Sequence, residues 1–439
     1  MPLVTSDLLD AKINFKLIFV TILVGIVAGL AGMCLALLLH FIQHQAYGYS
    51  HSLAHPENFL QGVTAAAPLK RLALLALCGL IAGFGWFFLY RFGKPLSTIA
   101  AAVKADEPKM PFGSATINAL LQIITVGLGS PLGREVAPRE IAAAFACWIS
   151  AKSGLSWKHS QIMIACAAGG GLAAVYNVPL GGTVFILETL LFTFSWSALI
   201  PALCICSIAT AISWIGLGNE PQYQLPDFSL NLSLIIWSIV VGPLFGVAAF
   251  FFNQIINSAR AKAPKNGQLI FLCLINFMAI GILAVYLPAL LGNGKGPIQL
   301  GFTNTLDVSL AAKLLVLRVL IVWSSLRAGA QGGLLTPSLA NGVLMATILG
   351  SFWSVFWPGT PTGAYSVIGA AAFLAAALKM PLTAIVLTAE FTNIDFNFLV
   401  PILFAVMGSV ATFNFCEAKK SLGAKPIISI PLSERRDSV

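Results

Sequence analysis

Glu135 stands in a glycine- and proline-rich break, Gly127-Leu-Gly-Ser-Pro-Leu-Gly133-Arg-Glu-Val-Ala-Pro138, with a helix expected from Ile141. Backbone N–H groups at a helix start lack intrahelical acceptors, and the helix dipole favours an anion there. A carboxylate in that place can mimic a bound anion and leave when protonated. It would then be both a gate and a proton carrier. The alternative is a structural ion pair with Arg134 or Arg139. A second break, Gly329-Ala-Gln-Gly332-Gly333-Leu334-Leu335-Thr-Pro337, has the same design without an acid and also precedes an apolar helix. Its amides can face the same anion from the opposite side, or simply begin a helix with no ligand.

A spaced repeat frames these breaks. Leu172-Ala-Ala-Val-Tyr-Asn-Val-Pro179-Leu180 leads to Glu188, and Leu374-Ala-Ala-Ala-Leu-Lys-Met-Pro381-Leu382 leads to Glu390, 202 residues later. Each glutamate comes nine residues after its proline. Repeats of this kind, interrupted by Gly and Pro, point to a transporter built from two halves, with its site where broken helices meet. Glu188 and Glu390 at matched places are expected to do one structural job in each half, such as capping a loop. Arg134, Arg139, Glu140, Arg318 and Lys379 complete the ionisable inventory within apolar runs. Such groups are costly at membrane depth and mark pathways or buried pairs. Lys94, in Phe92-Gly93-Lys94-Pro95-Leu96-Ser97, reads as a cytoplasmic anchor or as a cation at a pore mouth.

The elements that hold these residues are membrane helices. Of 439 residues, 58% are hydrophobic and 9% charged, and the mean hydropathy is +0.89. Soluble domains carry about a quarter charged residues, so the chain is read as polytopic. Several apolar runs are shorter than the ~20 residues a helical span needs and end at Gly or Pro. Irregular backbone at that depth is tolerated only where protein or a water-filled cavity covers it, so re-entrant half-helices are expected. The net charge of +9 lies in loops and tails, as topogenic charge rather than a nucleic-acid surface. Loops 43–69 and 217–231 carry no Lys or Arg, whereas Lys12, Lys16, Lys152, Lys158, Arg260, Lys262, Lys265 and the C-terminal basic residues mark the other side. Both termini are therefore expected in the cytoplasm. The first apolar run is too long for a signal-peptide core and is expected to be retained. Eight cysteines, none in a C-x-x-C pair, read as small core residues. The chain has no G-x-S-x-G, H-E-x-x-H or Walker A sequence, which argues against an enzyme and against ATP-driven transport.

Four of these motifs, in order and in register from about residue 15 to 415, resemble elements of the CLC chloride channels and proton/chloride exchangers. Gly133-Arg134-Glu135 resembles the family's GREGP and Gly332–Pro337 its GGIFAP. Ala173–Leu180 resembles AAAFNAPL, and Pro381–Glu390 its second-half counterpart. The resemblance implies an all-α inverted two-half repeat of about eighteen helical segments, many re-entrant, and a homodimer with one anion path per subunit. By position, Glu135 matches the external gating glutamate and the amides of Leu334 and Leu335 the anion-coordinating pair. Arg134, Val136, Lys94 and Ile428 are the other positions assigned to the anion path. Departures accompany the match. Lys94 replaces the serine that holds the central anion, and the coordinating tyrosine has no counterpart beyond a loose alignment to Ile428. The exchangers' inner proton-transfer glutamate falls on Thr189, next to Glu188.

The expected organisation is a cytoplasmic segment 1–14, half-domains 15–217 and 218–415, and a short cytoplasmic tail 416–439. The expected activity is transport of chloride or a similar small anion across the cell inner membrane, coupled to protons through a glutamate gate. No cofactor, metal or nucleic acid is expected as a partner. Passive gated conduction and a non-transporting scaffold are the rivals. A cation transporter is disfavoured by the helix N-termini, which attract anions.

Overall fold

The computed structural model describes residues 15–48 and 58–423. They form seventeen α-helices, with no strand among the described residues beyond one isolated bridge. The first nine are α1 Phe15–Tyr47, α2 Phe59–Ala65, α3 Pro68–Phe92, α4 Ile99–Lys104, α5 Phe112–Gly127, α6 Val136–Lys152, α7 Trp157–Tyr176, α8 Pro179–Phe185 and α9 Trp196–Leu217. The others are α10 Leu232–Ala261, α11 Gln268–Tyr286, α12 Lys295–Phe302, α13 Val308–Ala328, α14 Leu335–Phe356, α15 Thr362–Leu378, α16 Pro381–Thr392 and α17 Leu399–Gly423. Eight stretches are long and apolar enough to cross a membrane, while α5, α15, α16 and the segment Pro179–Leu190 are apolar but shorter. The chain is a multi-pass membrane protein.

Lipid tails are as apolar as leucine, so helix association here depends on close packing rather than on removal of oily surface from water. The sequence supplies small residues for that purpose. Gly25 and Gly29 of α1 lie against α9, Gly79 and Gly83 of α3 against α11, and Gly242 and Gly246 of α10 against α17. A Cβ at Gly242 would lie 2.9 Å from the Ala405 carbonyl oxygen, so the backbones meet with nothing between them. Large side chains such as Phe84, Phe88, Phe251 and Phe271 are exposed instead, as lipid-facing positions should be. Helices α7 and α15 are buried along most of their length and form the centre.

Here the repeat takes physical form. α7 ends at Asn177 (φ 57°) and α15 at Lys379 (φ 56°), both left-handed. In each case one residue follows with nearly the same backbone angles, Val178 (φ −133°, ψ 68°) or Met380 (φ −137°, ψ 67°), and a proline opens the next helix, α8 or α16. Proline suits a first helical position, where its missing N–H has no role. The two glutamates then cross over. Glu390, on α16, accepts hydrogen bonds from the Leu180 and Gly181 amides at 2.9 and 2.6 Å. Glu188, in the π-helical turn Ile186–Leu190 after α8, accepts from the Leu382 and Thr383 amides at 2.9 and 2.8 Å and from the Thr383 hydroxyl. Each copy of the repeat caps the short helix of the other. Glu188→Ala and Glu390→Ala should each cost about 2–3 kcal/mol, because each strands two backbone donors at an apolar helix start. Thermal unfolding in detergent would read this as a lower melting temperature. An unchanged melting temperature with altered transport would instead move these carboxylates into the transport path.

Candidate functional site

The two breaks meet. The first joins α5 to α6, the second joins α13 to α14, and each begins with a glycine at positive φ, Gly129 (113°) and Gly329 (102°). Gly133 N–H donates to Gly333 O at 2.8 Å and Gly333 N–H to Gly133 O at 2.9 Å, an antiparallel bridge between the two breaks. Gly292 N–H bonds Gly129 O at 3.0 Å and the Tyr47 hydroxyl bonds Leu128 O at 2.7 Å, so the first break is held from both sides. Neither α6 nor α14 waits for its proline to pass. α6 starts at Val136 rather than at Ile141, and α14 at Leu335. Pro138 and Pro337 are each the third residue of a helix, where no backbone donor is needed. The proline thus removes an orphan N–H while leaving the amides before it aimed into the site.

The Glu135 carboxylate fills the space above the bridge. Its side chain is 1% exposed. Oε1 accepts the Leu335 amide at 2.7 Å, the first N–H of α14. The Tyr176 hydroxyl lies 3.5 Å from Oε2 and 3.1 Å from Thr336 Oγ1. A Cβ on Gly133 or Gly333 would collide with the carboxylate, so both positions need glycine for the side chain to lie there. The expected alternative of an ion pair with Arg134 or Arg139 is absent. Among the described residues the salt bridges are Lys109–Glu107 and Lys379–Glu417. The Arg134 guanidinium packs over the Tyr176 ring at 5.0 Å and donates to Gln222 at 3.3 Å, and that of Arg139 packs over Phe185 at 4.3 Å. The carboxylate is therefore held by neutral donors and helix ends. That arrangement suits exchange with a free anion, which an amide binds loosely enough to release.

Glu135, Val136, Leu334 and Leu335 come together at this bridge, and Arg134 points away from the carboxylate toward Tyr176 and Gln222. Lys94 is exposed in the connection between α3 and α4. Ile428 lies outside the described residues. Glu188 uses both oxygens on the α16 amides, and the Thr189 hydroxyl is buried without a partner. Sequence reasoning missed Tyr176. It occupies the phenylalanine position of the third motif, and the signal was its extra hydroxyl, which a buried tyrosine must satisfy.

The family described as voltage gated chloride channel matches residues 76–414. The chain belongs to this CLC family. It is 28% identical to the H(+)/Cl(-) exchange transporter ClcA of Vibrio vulnificus over 438 residues, covering 94% of this chain and 88% of that relative. A solved slow cyanobacterial Cl-/H+ antiporter superimposes with a TM-score of 0.77 at 21% identity, covering 93% of this chain and 99% of that one. A CLC-type fluoride/proton antiporter does so with a TM-score of 0.67 at 19% identity, over 91% and 96%. The CLC fold accounts for the all-helical, broken-helix architecture.

Proposed function

We propose that this chain exchanges chloride or a similar small inorganic anion for protons across a bacterial inner membrane. Glu135 is the gate of that exchange. The observation that carries the reading is the 2.7 Å bond from the Leu335 amide to Glu135, which puts a carboxylate in the seat an anion would take. When ionised, the carboxylate holds the amide. When protonated, it loses most of that attraction and yields to the anion, so proton and anion alternate. The exchanger named among the similar proteins supports the same reaction. Leu334, Leu335 and Val136 bind the anion through backbone, and Arg134 adds positive field nearby without a direct bond to the gate. Lys94 draws anions toward the inner mouth. The two halves divide near residue 217, both termini lie in the cytoplasm, and the working unit is a homodimer with one path per subunit.

Purified protein in liposomes, with chloride and proton movement recorded together, tests this. A chloride gradient should drive protons uphill. Chloride flux without protons would establish passive gated conduction, the second reading, which the hydroxyl of Thr189 in place of a carboxylate favours. Absence of chloride, nitrate and fluoride flux would leave a scaffold.

A further inference from the structure

An exchanger must also move the proton between the gate and the water on the inner side. Glu188 and Glu390 are committed to helix caps and Thr189 does not titrate. Glu140 differs from them. It lies five residues beyond Glu135 on α6, about 7.5 Å along the axis, toward the end that leads to Lys152 and Lys158. It is only half-buried. Both of its protein donors reach one oxygen: Asn118 Nδ2 at 2.7 Å and Gln122 Nε2 at 3.3 Å, each to Oε2. Oε1 accepts no hydrogen bond from the described residues. The Trp86 indole donates to Asn118 Oδ1 at 2.9 Å, which fixes that amide with its NH2 toward Glu140.

Two further features point to proton traffic rather than to a static contact. Gln122 is 1% exposed, yet its Oε1 has no partner. A buried acceptor beside a carboxylate is a place for a water, or for the proton of the acid form itself. Arg139, the neighbouring residue, pairs with neither carboxylate within 4.0 Å, packs over Phe185, and leaves its Nε unpartnered. An unpartnered guanidinium N–H next to Glu140 in sequence is a second place for a water. A further titratable group is Tyr90 of α3, whose hydroxyl accepts Gln331 Nε2 of the second break at 3.1 Å.

We infer that Glu140 is the inner proton-carrying group of this chain, relaying protons between Glu135 and the cytoplasmic side through water held at Gln122 Oε1. The inference rests on the exchange reading above. In the outward-to-inward direction, the Glu135 O–H bond breaks, water passes the proton on, and an O–H bond forms on the Glu140 carboxylate. That bond then breaks as the proton leaves to inner water. No other bond changes.

The test is Glu140→Gln in proteoliposomes with simultaneous chloride and proton recording, beside wild type and Glu140→Asp. Proton movement per chloride should fall about a hundredfold or more, with the reversal potential moving to that of chloride alone. Glu140→Asp should restore measurable coupling. Gln122→Met, which removes the unpaired oxygen and leaves the Asn118 bond, should lower proton movement about threefold or more. It serves as the test where Glu140→Gln does not fold. Coupling equal to wild type in whichever variant is recovered would overturn the inference and leave Glu140 as a structural acceptor for Asn118 and Gln122. A wild type that moves no protons would instead overturn the exchange reading itself.

Discussion

Glu135→Gln is expected to carry anions without protons and without response to pH. The sign follows from the seat the side chain occupies. In the proposed exchange, the ionised carboxylate, which accepts the Leu335 amide, competes with the transported anion for it. As pH falls, protonation weakens that charge-assisted bond, so wild-type anion flux should rise. Bonds of this type are worth about 1.5–3 kcal/mol, so the competition shifts by roughly ten- to a hundredfold. Glutamine is uncharged at every pH, and its profile should be flat near the acid limit of the wild type. It also cannot bind and release a proton, so a chloride gradient should drive none. The measurement is chloride efflux with proton recording across about pH 4 to 8, which spans the carboxylate range and neutrality. A variant that keeps both the wild-type profile and its coupling would remove Glu135 from the gate.

The sequence made the site's location legible because breaks leave marks. Gly and Pro at the two breaks, and the doubled Leu-Ala-Ala to Pro-Leu spacing, place four helix ends before any coordinates are needed. What it did not show were contacts across long separations. Glu188 and Glu390 were read as equivalent, but their acceptors' partners lie 194 to 210 residues away, and only the fold reveals that each caps the other's helix. The sequence places the start of α6 at Ile141, but the helix begins at Val136, because a proline at a third helical position removes a donor the helix does not use. Lys379 in a left-handed turn was not legible either. Asn177 is a residue type that tolerates that conformation, whereas the lysine takes it as the matching helix C-cap of the second copy. Tyr176 was hidden by its apolar setting, where an aromatic ring reads as core until its hydroxyl is found beside Glu135 and Thr336.

Gly333→Ala should unseat the proposed gate while leaving Glu135 in the chain. Gly333 is not among the residues held at positive φ, so its backbone accepts alanine without conformational strain. The nearest atoms to the new methyl all belong to Glu135: Oε1, Cδ and Cγ. A flexible side chain is easier to move than the backbone bridge to Gly133, which has two hydrogen bonds. The methyl group therefore displaces the carboxylate from the Leu335 amide, so the side chain no longer competes with an anion there at any pH. Flux at neutral pH should rise by about tenfold or more, toward the wild-type acid limit. Since both changes remove the ionised carboxylate from one amide, Gly333→Ala combined with Glu135→Gln should add little to either alone. Gly332→Ala is the contrast. Its methyl would meet Leu132 rather than the carboxylate, so it should strain packing and lower thermal stability without freeing the amide. If Gly333→Ala lowered the melting temperature and left flux pH-dependent, the bridge would have moved instead of the carboxylate, and steric placement of Glu135 by this glycine would be wrong.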